Sequence, residues 1–172
     1  FDFPTNFPEL SREELLNRML IGGYPEVNTR KTESRRQDWF QSYITTILQR
    51  DIRDLANIEG LTDMPRLLFL LATRAAGLLN VAEISRSIGF PQMTIHRYLS
   101  LLEKVFLIET VPAWSGSLKN RLVKTPKIFI TDTGLLSYLQ GLSLAKVQKN
   151  PSLAGSLSEN FVVYKLKKQL GW

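Results

Sequence analysis

The stretch "NVAEISRSIGFPQMTIHRYLSLLEKVFLIE", residues 80–109, constrains the fold more than any other part of the chain. Asn80 precedes a short apolar-periodic run, about Ala82–Ile88, whose inward positions are Ile84 and Ile88. Gly89 then stands where a tight turn between two helices needs positive φ, a conformation glycine adopts without a Cβ penalty. Pro91, its φ already fixed, opens the next helix. Along that helix Ile95, Tyr98, Leu99, Leu102 and Val105 form one apolar stripe. Gln92, Thr94 and Arg97, with Met93 and His96, project from its early exposed face. In helix-turn-helix proteins that face meets base edges or phosphates.

Two strand-like runs follow, "VFLIETVPAW" (105–114) and "RLVKTPKIFITD" (121–132), joined by "SGSLKN" (115–120). A hairpin is expected at about 106–112 and 126–131, packed on the helices of residues 63–105. Helices followed by a hairpin with a basic loop make the winged-helix arrangement. The expected fold class is therefore mainly α: a helical bundle plus a winged helix-turn-helix with one antiparallel β-hairpin wing.

Upstream, "FDFPTNFPEL" is Pro-rich and aromatic and reads as a linker or packing strap. Ser11 with Glu14 three residues on is a capping box for the helix "REELLNRMLIGG". The Gly22-Gly23 pair ends it and Pro25 bars its continuation. Residues 33–58 read as one long amphipathic helix with Trp39, Phe40, Tyr43, Ile44, Ile47, Leu48, Ile52 and Leu55 inward. Arg50, Asp51, Arg53 and Asp54 fall largely on its other side. Thr62 to Ala76 is a further helix, opened by Thr62 or Asp63, with Pro65 in its first turn. This gives four units: 1–27, 28–60, a winged-helix domain at 61–145, and 146–172.

Charge narrows the choice of partner. Residues 1–60 carry 8 basic and 10 acidic side chains, residues 61–115 carry 5 and 4, and residues 116–172 carry 9 and 2. Between Glu109 and Asp132 stand Lys119, Arg121, Lys124 and Lys127 with no acid among them. Such a local basic surface attracts a polyanion, although lysines also serve solubility. The longest apolar run, Leu67 to Ala72, is far shorter than the roughly 20 residues a spanning helix needs. The chain has no cysteine, hence no disulfide framework or thiolate metal site, which fits a cytoplasmic protein. It opens on Phe1 and reads as a piece of a longer protein.

Five blocks occurring in order carry a resemblance: "GGYPEV" (22–27), "SYITTILQRDIRDL" (42–55), "LLNVAEISRSIGFPQMTIHRYLSLLEKVFLIE" (78–109), "RLVKTPKIFITDTGLLSYLQGL" (121–142) and "SENFVVYKL" (158–166). Together they resemble the C-terminal region of bacterial predicted AAA+-type ATPases, where a domain of unassigned function follows the ATPase core. The resemblance implies an ATPase core upstream of Phe1, with ATP and Mg²⁺ bound there. It makes residues 1–27 the end of that core's helical lid. It also implies that "SENFVVYKL" opens a truncated restriction-endonuclease-like fold at 146–172, in which the carboxylate of Glu159 helps bind Mg²⁺.

Within the chain itself no catalytic residue is expected. No G-x-x-x-x-G-K-[ST] run is present to cradle nucleotide phosphates, so this chain is expected not to hydrolyse ATP and to hold no cofactor. "FITDTG" (129–134) imitates the Asp-Thr-Gly of aspartic proteases, but that chemistry needs two such carboxylates and a single copy occurs. The plainer reading makes Asp132 or Thr133 a helix cap. His96, the one histidine, has no ligand cluster in the sequence around it. Asp51 and Asp54, three apart, are set beside Arg50 and Arg53 and read as a solvated ion-pair face. Glu159 alone cannot supply the several oxygens a catalytic metal requires, and reads as a helix-start carboxylate near the positive end of the dipole.

Three functions remain open. A winged helix binds DNA through Gln92, Thr94, His96 and Arg97 in the groove and Lys119, Arg121, Lys124 and Lys127 on phosphates. Alternatively the same module joins ATPase subunits as a protein-interaction or oligomerisation surface, since fold does not fix function. A non-catalytic nuclease fragment is third. The expected partners are DNA, the protein's own ATPase core and a second copy of the chain, with no membrane among them.

Overall fold

The computed structural model of the chain describes residues 9–52, 63–114 and 124–170. Helices dominate: α1 Arg12–Ile21, α2 Pro25–Asn28, α3 Glu33–Thr46, α4 Met64–Thr73, α5 Val81–Ile88, α6 Gln92–Lys104, α7 Thr133–Gln140, α8 Leu144–Lys149 and α9 Pro151–Leu170. The strands β1 Ile108–Val111 and β2 Lys127–Ile130 form the expected antiparallel hairpin, with Ile108 opposite Ile130 and Val111 opposite Lys127. The fold is thus mainly α with a two-stranded hairpin, as the periodicities imply.

Local chemistry sets most of the helix ends. The Ser11 hydroxyl accepts from the Glu14 amide at 3.2 Å while the Glu14 carboxylate accepts from the Ser11 amide at 2.8 Å, a closed capping box. Thr32 caps α3 and Asn80 caps α5 in the same one-sided way. Asp63, by contrast, makes no side-chain bond to the start of α4. The other suggested opener, Thr62, and also Leu55, Arg53 and Asp54, lie outside the described residues.

The expected regular helix over 33–58 is corrected at one point. After Thr46 the chain makes a π-helical turn, Ile47–Asp51. In an unbroken 3.6-residue period, position 51 falls on the same face as Ile47 and Leu48. The extra residue of the π turn rotates Asp51 out to solvent and brings Ile52 into that place, where it is fully buried. The turn keeps the apolar side continuous where the sequence itself breaks register.

Helix α4 is apolar almost all round and sits at the centre, burying Met64, Leu67, Leu68, Leu71 and Ala72. Beyond it, residues 76–79 run along the outer side of β2. The Ala76 amide donates to the Ile128 carbonyl at 2.8 Å, the Ile128 amide to Gly77 at 3.0 Å and the Leu79 amide to Pro126 at 2.8 Å. β2 therefore has backbone partners on both sides, β1 on one and this short segment on the other.

Two glycine motifs far apart in sequence meet. A Cβ on Gly134 would lie 2.1 Å from the Ile21 carbonyl oxygen, and one on Gly22 would lie 2.2 Å from an Asp132 carboxylate oxygen. The Asp132 carboxylate accepts from the Gly134 and Leu135 amides at 2.8 and 3.1 Å, capping α7, and from the Gly23 amide at 2.7 Å. This clasp seats the end of α1 on the start of α7.

Contacts also run across the boundary expected after residue 145. Helices α8 and α9 pack on each other and on α1, and α9 packs on α7. Leu157 and Asn160 of α9 are fully buried.

Candidate nucleic-acid interface

Helices α5 and α6 are joined by the turn the sequence implies. Gly89 has φ +82° and ψ 18°, and its amide donates to the Ser85 carbonyl at 2.9 Å. The Ser85 hydroxyl donates to the Phe90 carbonyl at 2.5 Å and draws the turn closed. Phe90 then meets Tyr98 edge to face at 6.1 Å, fixing α5 against the middle of α6. Pro91 stands at the head of α6 with φ −57°.

Helix α6 buries Ile95, Tyr98, Leu99, Leu101 and Leu102. Gln92, Met93, His96 and Arg97 are exposed on its first turns and Thr94 is half-buried. Among the described residues no hydrogen bond or ion pair engages the side chains of Gln92, His96 or Arg97. Met93 stands out furthest, at 79% exposure. Arg86 on α5 is exposed as well, whereas Arg74 is paired with Glu83 at 2.7 Å.

Between α6 and the base of the hairpin lies an open groove of about 620 Å³. Asn80, His96, Ser100, Lys124 and Thr125 border it, and Glu103 on its wall accepts from the Thr110 hydroxyl at 2.7 Å. Of the four basic residues assigned to phosphates, Lys124 is exposed beside this groove. Lys119 and Arg121 lie outside the described residues. Lys127 is engaged: its ammonium donates to Glu159 at 2.5 Å.

Glu159 itself is corrected. It is the ninth residue of α9, not part of a helix start, so the macrodipole, which fades within the first turn, is not what holds it. Its partner is Lys127. Beside it, Asn160 is wholly buried: its carbonyl accepts from the Ile130 amide at 3.0 Å and its amide donates to the Ile130 carbonyl at 2.7 Å. The side chain stands in for a strand, continuing along β2 where the 76–79 segment leaves off. Lys167, two turns on, pairs with Glu109 of β1. Helix α9 thus touches both strands of the hairpin through polar groups.

The Asp-Thr-Gly motif is a cap, as the plainer reading holds, since both oxygens of Asp132 are taken up by main-chain amides. Among the described residues no group of three or more His, Asp or Glu side chains is placed to hold a metal ion. Nearby phenols respond to burial. Tyr24, hydrogen-bonded to Tyr43 at 3.0 Å, is held far above its ordinary value, first by desolvation and then by that bond. Tyr164 is raised too, by burial and by the charges of Glu109 and Asp132.

Sequence reasoning missed Asn160 as a structural residue and the meeting of Gly22-Gly23 with Asp132. Neither has a local signal, because each contact joins segments 30 or more residues apart.

A family described as a domain of unknown function, DUF8612, matches residues 12–146. An uncharacterised protein of Mycobacterium tuberculosis is 34% identical over 86% of the chain, as is one of Mycobacterium bovis. An uncharacterised protein of Haemophilus influenzae is 26% identical over 97% of the chain. The chain spans about a third of the length of the two mycobacterial relatives, covering 33% of each, and 44% of the Haemophilus protein. No solved structure matches. Among the described residues no helix is long and apolar enough to cross a membrane.

Proposed function

The chain belongs to the DUF8612 family, and we propose that α4–α6 and the hairpin act together as a winged helix that binds double-stranded DNA. The observation that carries this reading is the face of α6. Its first turns present Gln92, His96 and Arg97 to solvent with no partner among the described residues, on a helix whose opposite side is anchored in the core. The order of elements supports it: a helix, a short segment pairing with β2, two helices across a glycine turn, then the hairpin. Gln92, Thr94, His96 and Arg97 address the groove of the duplex. Lys119, Arg121 and Lys124 address phosphates, while Lys127 is set aside by Glu159. Coupling to an ATPase core elsewhere in longer members of the family rests on the five resembling blocks, and the module's work there is in a cytoplasmic assembly on DNA.

A second reading is favoured by Met93. An exposed methionine at the centre of the α6 face suits a protein-docking surface between subunits better than it suits base recognition. A salt titration separates the two. Each cation on a phosphate releases a counterion, so three such cations make log K fall against log[salt] with a slope of roughly −3. A labelled duplex titrated at several salt concentrations should show this with the native chain. Replacing Lys119, Arg121 and Lys124 together by Ala should flatten the slope by about one unit for each phosphate-bound cation removed. Arg97→Ala should instead change the preference among duplex sequences. Absence of binding at low salt gives the face of α6 to a protein partner.

A further inference from the structure

We propose that Glu159 is a built-in mask on the hairpin: it neutralises Lys127 and so lowers the number of phosphates the module engages. The inference rests on the polyanion-binding reading of the module and names a control on that same site. Three observations carry it. Lys127 lies at the hairpin's basic end, three residues after Lys124, in the acid-free stretch between Glu109 and Asp132. Its ammonium meets the Glu159 carboxylate at 2.5 Å, with both side chains a little over 40% exposed. An exposed pair of this kind usually opens freely, since side-chain entropy and solvent offset most of the attraction. Here it is pinned on both sides. Asn160, the next residue, is buried and bonded twice to the main chain of Ile130, which fixes the backbone of Glu159 opposite β2. Lys127 is fixed by its strand, paired with Val111 on one side and bridged to Leu78 on the other. Tertiary structure thus holds the two backbones opposite each other, so that the carboxylate and ammonium stay within reach whenever the exposed pair opens.

A competing phosphate must displace a neighbour that stays in place. Lys127 therefore contributes no counterion release while Glu159 is charged, and contributes one when it is removed. Accessibility of the pair means that any partner or modification that draws the Glu159 carboxylate aside raises polyanion affinity without rearranging the core.

The test uses the full chain in four forms: native, Glu159→Gln, Lys127→Met and the double variant. A melting curve for each confirms folding, expected because neither side chain is buried. Isocratic retention on immobilised heparin is measured at a series of salt concentrations, and so is binding to a labelled DNA duplex. Glu159→Gln should steepen the log–log salt slope by about one unit on both. Lys127→Met should leave the native slope unchanged, and the double variant should return to it. Glu13→Gln on α1, an equal change of net charge away from the hairpin, should not steepen the slope. An unchanged slope for Glu159→Gln on heparin, or a flattening by Lys127→Met alone, overturns the mask. If heparin behaves as expected and no duplex binds, the mask stands and DNA is the wrong polyanion.

Discussion

The side-chain amide of Asn160 meets the main chain of Ile130 with both its donor and its acceptor, at 2.7 and 3.0 Å, inside the protein. Asn160→Ala leaves a buried amide and a buried carbonyl unpaired, each costing about 1–3 kcal/mol. Urea unfolding should show a loss of about 2–6 kcal/mol. Asn160→Asp should be similarly harmful at neutral pH, because a carboxylate can accept from the Ile130 amide but cannot donate to its carbonyl. Part of that loss should return in acid, where the protonated side chain regains a donor. A variant as stable as the native chain would mean that the hairpin is held by other contacts.

Three glycines should respond to alanine in three ways. Gly134→Ala sets a methyl against the Ile21 carbonyl and should cost about 2–3 kcal/mol. Gly89→Ala meets open space, but its φ of +82° is left-handed, so about 1 kcal/mol should be lost. Gly155→Ala lies in the exposed interior of α9 with nothing near it, and should raise stability by about 0.5–1 kcal/mol. Denaturant midpoints rank the three directly.

Ile47 and Asp51 open and close the π turn, and they should differ sharply. Ile47 is buried, so Ile47→Ala should cost about 2–4 kcal/mol. Asp51 is turned to solvent, so Asp51→Ala should change stability by less than about 0.5 kcal/mol. Unfolding by Asp51→Ala would place that carboxylate in a buried junction instead.

Alkaline pH should destabilise the chain through Tyr24. Its phenol is held above the ordinary 10.0 by burial and by Tyr43, so above about pH 10 the unfolded chain releases a proton that the folded one keeps. The unfolded state then binds fewer protons, and stability must fall as pH rises. Urea midpoints followed from about pH 9 to pH 11 should decline, and Tyr24→Phe should decline less steeply. Tyr164, raised in the same direction, supplies part of the slope that remains.

The chain by itself determined what depends on neighbours three or four residues apart. The Ser11–Glu14 box, the Asn80 cap, the left-handed Gly89 and the stripe Ile95, Tyr98, Leu99 and Leu102 of α6 follow from short-range sterics, periodicity and hydrogen bonding, and the structure keeps them, while Val105 is half-buried just past the end of α6. The hairpin is legible as two strand-like runs, although its pairing joins residues 16 to 22 apart. Tertiary structure decided the rest. The π turn lets Ile52 and not Asp51 enter the core: a helical wheel shows the clash at position 51, but only the packing decides that the backbone and not the side chain gives way. Lys127 reads as a free cation until α9 brings Glu159 to it from 32 residues away. Asn160 reads as an ordinary polar residue until the edge of β2 needs a donor and an acceptor at one point. Each depends on which segments the core draws together, because a buried polar group or a charge takes its role from whatever partner is within about 3 Å in space.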